Sequence, residues 1–365
     1  MRKIGLIAGC SLLLIIIGIF LINVQHAETD VTKERTRVGF LLNGSCQDQS
    51  WGQSHYEAIE KTAEELNLEV LYRENVPEDE NCMAVIEELV GEGCEIIIGN
   101  SVQFGEWEMQ MAEKYPEIYF FHAAGTGTRD NLSTYFGRIY QMRYLSGIVA
   151  GLQTETNQIG YVAAYPISEV NRGINAFTLG VRSVNKDAVV YVQWCDSWTD
   201  EEMVEAATNE LLDTNEIDVL TLHCDTTVPL QIAEERGIWS IGYNMDNSSQ
   251  YAGSHLTAPV WKWEMYYTPY ILECLQGKYV EKQYWEGVET GIVDLAPLSE
   301  LVKEGTAEVV AAERERLESG TYDVFYGPIR DSKGSLRVAE GETMSDRTLL
   351  YNFDWYVEGV VINGE

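Results

Sequence analysis

The sequence predicts an α/β protein built as two Rossmann-like lobes, and three observations carry that reading. Short apolar runs alternate with amphipathic helical patterns at intervals of roughly 25–30 residues, the rhythm of βα units in a parallel sheet. The series occurs twice, interrupted near 133–152 by an extended run and a helix rich in small residues. A chain of 365 residues is also long enough for two such cores.

The first series opens with Val38–Leu42, an apolar run of strand length. A polar loop follows, then a helix from Gly52 with Ala58, Ile59, Ala63 and Leu66 on one face and glutamates on the other. Strands are expected at 68–72, 95–98 and 118–121, with helices leading to Gly91 and through Phe104, Trp107 and Met111. Ser133–Ile139 reads as a further strand. The helix Met142–Leu152 carries Ser146, Gly147, Ala150 and Gly151, a spacing that suits close helix packing. The second series places strands at 159–163, 189–194, 219–222 and 239–243, with helices at 169–184, 201–212 and 228–235. Beyond His255 the alternation breaks up: a linking strand at 255–260, a helix at 264–275, an antiparallel strand segment at 284–293, a polar helix at 308–318, and tail strands at 324–329 and 351–361. The expected division is a signal segment or anchor at 1–27 and a linker at 28–36. Lobe 1 spans 37–137, completed by about 255–293, and lobe 2 spans 138–254, completed by about 294–365. The chain crosses between the lobes near 134–140, near 255–260 and in the 290s.

A net charge of −33, from 58 acidic against 25 basic residues, excludes charge-driven binding to nucleic acid or anionic lipid. Arg2 and Lys3 precede an uncharged run, Ile4–Ile22, of membrane-spanning length. The charge placement puts the rest of the chain outside the cytoplasm, attached to the membrane or secreted. Ile7-Ala8-Gly9-Cys10 also matches a lipoprotein cleavage box with Cys10 as the acylated residue. The apolar run continues beyond Cys10, which favours an uncleaved helix or a signal segment ending near Ala27. Six further cysteines lie in the exported part, where Cys46 with Cys82 and Cys195 with Cys224 are candidate pairs. No Cys/His cluster has metal spacing, and no cofactor is implied.

The sequence holds no GxSxG, HExxH or GxxxxGK[ST] motif, and GTGTRD at 125–130 does not open a helix in phosphate-binding register. No catalytic group emerges. What stands out is a set of aromatic and short polar residues at strand ends: Trp51, Phe104, His122, Trp198, Asp225, Asn244, Asp246 and Trp261, with Asp48 and Gln53 beside Trp51. Facing lobes would make them the walls of a cleft suited to a flat, hydrogen-bonding ligand such as a nucleobase. Each has a plainer reading: the tryptophans as core, Asp225 as a cap of the helix beginning near Pro229, Asp246 as a turn residue, His122 as a satisfied loop histidine.

The chain resembles the basic membrane protein family of ABC-transporter substrate-binding proteins from about Arg37 to Gly359. The carriers are DQSWGQSHYE at 48–57, FHAAG at 121–125, YFGRIYQMRYLSGIVAG at 135–151, IGYVAA at 159–164, RGINAF at 172–177, IGYNMD at 241–246 and GIVDLAP at 291–297. The resemblance implies a type I periplasmic-binding-protein fold, two lobes joined by three crossover segments with the ligand between them. It implies ABC permease subunits as partners and a purine-type ligand, base or nucleoside, captured by hinge closure. Nucleoside-binding members often carry a stacking Phe where this chain has Trp51. Asn244 replaces the first carboxylate of their aspartate motif, and Asp246 keeps the second. The Trp51 and His-Ala-Ala-Gly version is more like the branch associated with free purine bases. The alternative is a membrane-anchored sensor with no transport role.

Overall fold

A computed structural model describes residues 35–364 other than Thr126. The Ile4–Ile22 run and Cys10 lie outside the described residues. Among those described, no helix is long and apolar enough to cross a membrane.

The first lobe is built from β1 (Arg37–Leu41), α1 (Trp51–Leu66), β2 (Glu69–Arg73), α2 (Cys82–Gly91), β3 (Cys94–Gly99), α3 (Gly105–Lys114), β4 (Tyr119–Ala123) and β5 (Leu132–Gly137). Its strands alternate between two buried faces. Val38, Phe40, Ile96 and Ile98 enter one core, while Leu41, Ile97 and Phe120 enter another. That is the pattern of a parallel sheet covered by helices on both sides.

The second lobe runs through α4 (Tyr140–Gln153), β6 (Gln158–Ala163), α5 (Ser168–Val184), β7 (Val189–Trp194), α6 (Glu201–Thr214), β8 (Val219–His223), α7 (Val228–Arg236) and β9 (Trp239–Ile241). Local chemistry marks its helix ends. Asp200 accepts from the Met203 amide at the start of α6, and Gly237 closes α7 at φ +68°. The small residues of α4 do pack closely: an added Cβ at Gly147 would lie 2.0 Å from the Phe177 carbonyl oxygen on α5.

Beyond Ile241 come β10 (His255–Thr257), β11 (Pro259–Trp261), α8 (Glu264–Leu275), β12 (Gln283–Glu286), β13 (Val293–Leu295), α9 (Thr306–Glu318), β14 (Ile329–Arg330), β15 (Leu336–Val338), α10 (Asp346–Tyr351) and β16 (Val360–Ile362). The first sheet has the order β12-β5-β4-β3-β1-β2 and the second β10-β9-β8-β6-β7-β16, every pairing parallel. The structure is α/β, with two parallel six-stranded lobes.

Three details differ from the sequence reading. The stretch from His255 first adds β10 to the second sheet before the chain returns to the first lobe. The 284–293 segment is two strands, β12 parallel to β5 and β13 antiparallel to β11, separated by a turn ending at Gly291 with φ +79°. The tail contains α10, and its last strand completes the second sheet beside β7. The candidate cysteine pairs are free thiols. Cys82, the first residue of α2, is sealed into the apolar layer of the first lobe, and Cys46 lies in the loop before α1, its amide donating to Glu74. The Cys195 thiol donates to the Ala163 and Ser197 carbonyls.

Candidate ligand site

A cavity lies between the lobes. The first lobe lines it with Asn43 after β1, Trp51 at the start of α1, Asn100 to Gln103 after β3, Ala124 after β4, and Phe136 on β5. The second contributes Glu169 in the first turn of α5, Trp198 after β7, Asp225 after β8 and Tyr243 after β9. Nearly all follow the carboxyl ends of parallel strands, the edge where doubly wound sheets gather ligands.

Trp51 is held from several sides. Its Nε1 donates to the Asn100 carbonyl at 2.9 Å, and its ring meets Trp263 edge-on at 5.4 Å and Trp261 at 5.9 Å. Those two indoles stack on each other at 4.2 Å and 14°. Asp48 fixes the start of α1 by accepting from the amides of Ser50, Gly52 and Gln53 at 2.7–2.9 Å. An added Cβ at Gly52 would fall 2.2 Å from the Ser45 carbonyl oxygen, so this turn requires glycine.

The second lobe brings the charges. Asp225 accepts from Asn244 Nδ2 at 3.0 Å, and its uncovered surface faces the cavity. Burial holds its carboxyl well above the usual carboxylate range, and the negative charge of Asp48 adds to the effect. Burial also raises Glu169, against the pull of the Arg172 and Arg143 guanidinium groups. Arg143 lies 3.6 Å from the centre of the Tyr243 ring and donates to the Leu222 carbonyl at 2.8 Å. His223 is fully enclosed and held well below its ordinary value, first by burial and then by these two arginines. The cavity thus presents aromatic surfaces, two carboxyl groups and several side-chain amides.

Of the residues singled out in the sequence, Trp51, Trp198 and Asp225 meet at this cavity; the others have different places. Phe104 is fully buried among Leu41, Ile97 and Phe120, because the turn after β3 presents Val102 and Gln103 to the cavity instead. Asp48 is occupied by its three amides. Gln53 accepts from the Gln49 amide and donates to Glu57. His122 is buried, its Nδ1 2.5 Å from the enclosed Glu108 carboxylate. Asp246 accepts from the Ser248 amide as a turn residue. Trp261 supports Trp51 from behind and donates to Asn244 Oδ1 at 3.0 Å. Asn244, at φ +70°, is a connector: its Nδ2 also donates to Ser50 Oγ on the other lobe at 2.9 Å. Asn247 makes a second such tie, to the Gln49 carbonyl at 3.1 Å. Sequence reasoning gave no role to Asn43, Asn100, Phe136, Glu169 or Tyr243. Phe136 and Tyr243 stand inside the motifs that carry the resemblance; Asn100 directly follows a strand.

Residues 35–320 match the family model for PnrA-like ABC transporter substrate-binding proteins, Bmp. The chain belongs to this family. It is 34% identical over 346 residues to a purine-binding protein of Brucella abortus, covering 94% of this chain and 96% of that protein. It is 35% identical over 329 residues to a putative ABC transporter glucose-binding protein of Haloferax volcanii, covering 90% and 81%. Among solved structures, an ABC transporter solute-binding protein of Aeropyrum pernix aligns with a TM-score of 0.69 at 17% identity, over 81% of this chain and 93% of that one. A transcriptional activator of the comK gene from Bacillus halodurans aligns at 0.68 and 23%, over 78% and 99%. These structures share the periplasmic-binding fold. The family's work is extracytoplasmic capture of a small molecule for an ABC permease.

Proposed function

We propose that this substrate-binding protein captures a purine, as free base or nucleoside, between Trp51 and Phe136 of one lobe and Trp198 and Tyr243 of the other. The observation that carries the reading is the combination at one cavity of these aromatic groups with Asp225, Glu169, Asn43 and Asn100. A purine has two apolar faces and an edge of N–H donors and ring-nitrogen acceptors. Stacking on a ring contributes about 1–3 kcal/mol per base, and carboxyl and amide groups around the rim fix its orientation. Binding proceeds by hinge closure, and the Ser50–Asn244 and Gln49–Asn247 ties belong to the closed arrangement. The name of the Brucella relative supports a purine. The name of the Haloferax relative supports a second reading, a hexose, whose apolar face and hydroxyls would use the same walls. The protein works outside the cytoplasm, and Arg2 and Lys3 ahead of the uncharged run Ile4–Ile22 support attachment to the membrane through the N-terminus, or release there.

Mass spectrometry of small molecules released on denaturing the freshly purified protein tests the choice. A purine mass, present in stoichiometric amount and absent from a Trp51→Ala preparation, is the expected result. A hexose mass in its place would transfer the assignment to the sugar reading.

A further inference from the structure

The C-terminal segment after Glu318 lies largely beyond the family-model match, which ends at residue 320. It grips both lobes. On the second lobe, Arg172 Nη1 donates to the Leu349 carbonyl at 2.6 Å, Asn171 Nδ2 to the Phe353 carbonyl at 2.8 Å, and Asn175 Nδ2 to the Trp355 carbonyl at 2.7 Å. Arg172 and Asn175 of the RGINAF stretch, with Asn171 just before it, thus hold the tail. On the first lobe, Asp346 accepts from Arg138 at 2.8 Å and from Trp285 Nε1 at 3.2 Å, and Gln283 donates to the Tyr351 hydroxyl at 2.7 Å.

These contacts converge behind the ligand cavity. The Trp285 ring, on β12 of the first sheet, carries the Arg172 guanidinium of the second lobe at 4.7 Å and that of Arg138 at 5.2 Å. The same ring also neighbours Phe136, nearly parallel at 6.2 Å, which lines the ligand cavity. A second hollow opens beside Phe136 and Glu169, with Arg172, Trp285 and Leu350 among its walls. Leu350 belongs to α10, so the tail closes one side of a space that adjoins the cavity.

We propose that α10 and the residues following it form a strap, a non-covalent tie between the lobes that favours the closed cleft and so strengthens ligand retention. The chain crosses between the sheets after β5, between β11 and α8, and between β12 and β13. The strap adds a connection made of side chains, which can be removed without cutting the chain. This holds for any ligand the cleft takes.

Small-angle scattering of the full chain, stripped of ligand, tests the proposal in the double variant Asp346→Ala/Tyr351→Phe. A second variant, Gln283→Ala, severs one tie from the first lobe and leaves the tail sequence intact. Arg337→Ala is the control, since it breaks an ion pair with Asp331 inside the tail's own hairpin. The expected result is a larger radius of gyration in the double variant, a smaller change in the same direction for Gln283→Ala, and none in the control. Dissociation of adenine, measured by stopped flow, should accelerate by about three- to tenfold in the double variant, the scale for losing a few partly exposed polar contacts that favour the bound geometry. An unchanged radius of gyration in a double variant that unfolds at the parent temperature would overturn the strap. Scattering decides this even if the protein takes up no purine, so the strap and the purine assignment fail separately.

Discussion

Asp225→Asn should stabilise the ligand-free protein, and by an amount that depends on pH. Among the described residues the carboxyl accepts one hydrogen bond, from Asn244 Nδ2, and the charge of Asp48 lies across the cleft from it. Asparagine keeps the Asn244 bond through its Oδ1 and removes the charge. Leaving a polar acceptor buried and poorly compensated costs about 1–3 kcal/mol, and more when it is charged, so the variant should gain at least about that much once the parent's carboxyl is ionised. Above the ordinary carboxylate range near pH 4, the unfolded chain has released this proton while the folded chain retains it. Folding then takes up a proton, and the parent's stability falls as pH rises toward the raised value. The gain should therefore vanish near pH 4 and grow to a plateau above that value. Urea unfolding of both proteins at several pH values, followed by circular dichroism, measures it. A purine N–H would supply the donor that Asp225 lacks, so ligand should raise the parent's midpoint more than the variant's. A variant less stable than the parent at pH 8, or a difference independent of pH, would refute the reasoning.

Three other outcomes follow from particular contacts. Trp51→Ala should weaken purine binding by about 10- to 100-fold through lost stacking and lower stability by about 3–5 kcal/mol. Trp51→Phe keeps a ring but loses the bond to the Asn100 carbonyl, so its affinity should stay within about tenfold of the parent; titration and urea unfolding check both variants. Gly147→Ala forces a methyl against the Phe177 carbonyl oxygen and should cost at least about 1–3 kcal/mol, read as a lower urea midpoint. His255 is enclosed and pushed down to about 4 by burial. The unfolded state binds that proton more tightly, so stability should rise with pH from about 4 to about 6.5, with a shallower slope in His255→Gln.

The fold was legible because each βα unit carries its own periodicity. Val38–Leu42 and Ile96–Ile98 are continuous apolar runs, as strands covered on both faces must be. The tail was not, because α10 is a six-residue helix and β16 is a strand only by virtue of the edge that β7 offers it. At the site, strand-end position identified Trp51, Trp198 and Asp225. It could not separate a residue facing the cavity from one facing the helix layer, and Phe104 and His122 fall on the wrong side of that distinction. Nor could it show that Asn244 and Asn247 each donate to the opposite lobe. Glu169 was hidden because a glutamate in a first helical turn ordinarily reads as solvated. In the fold it is half-buried at the cavity, under the pull of Arg172 on its own helix and of Arg143 on α4.

Isothermal titration calorimetry of the ligand-free protein with adenine, hypoxanthine, adenosine, guanosine and glucose decides between the two ligand classes. Saturable one-to-one binding of at least one purine, weakened in Trp51→Ala and with no heat from glucose, is the predicted result. Saturable binding of glucose with no response to any of the four purines would contradict the purine assignment.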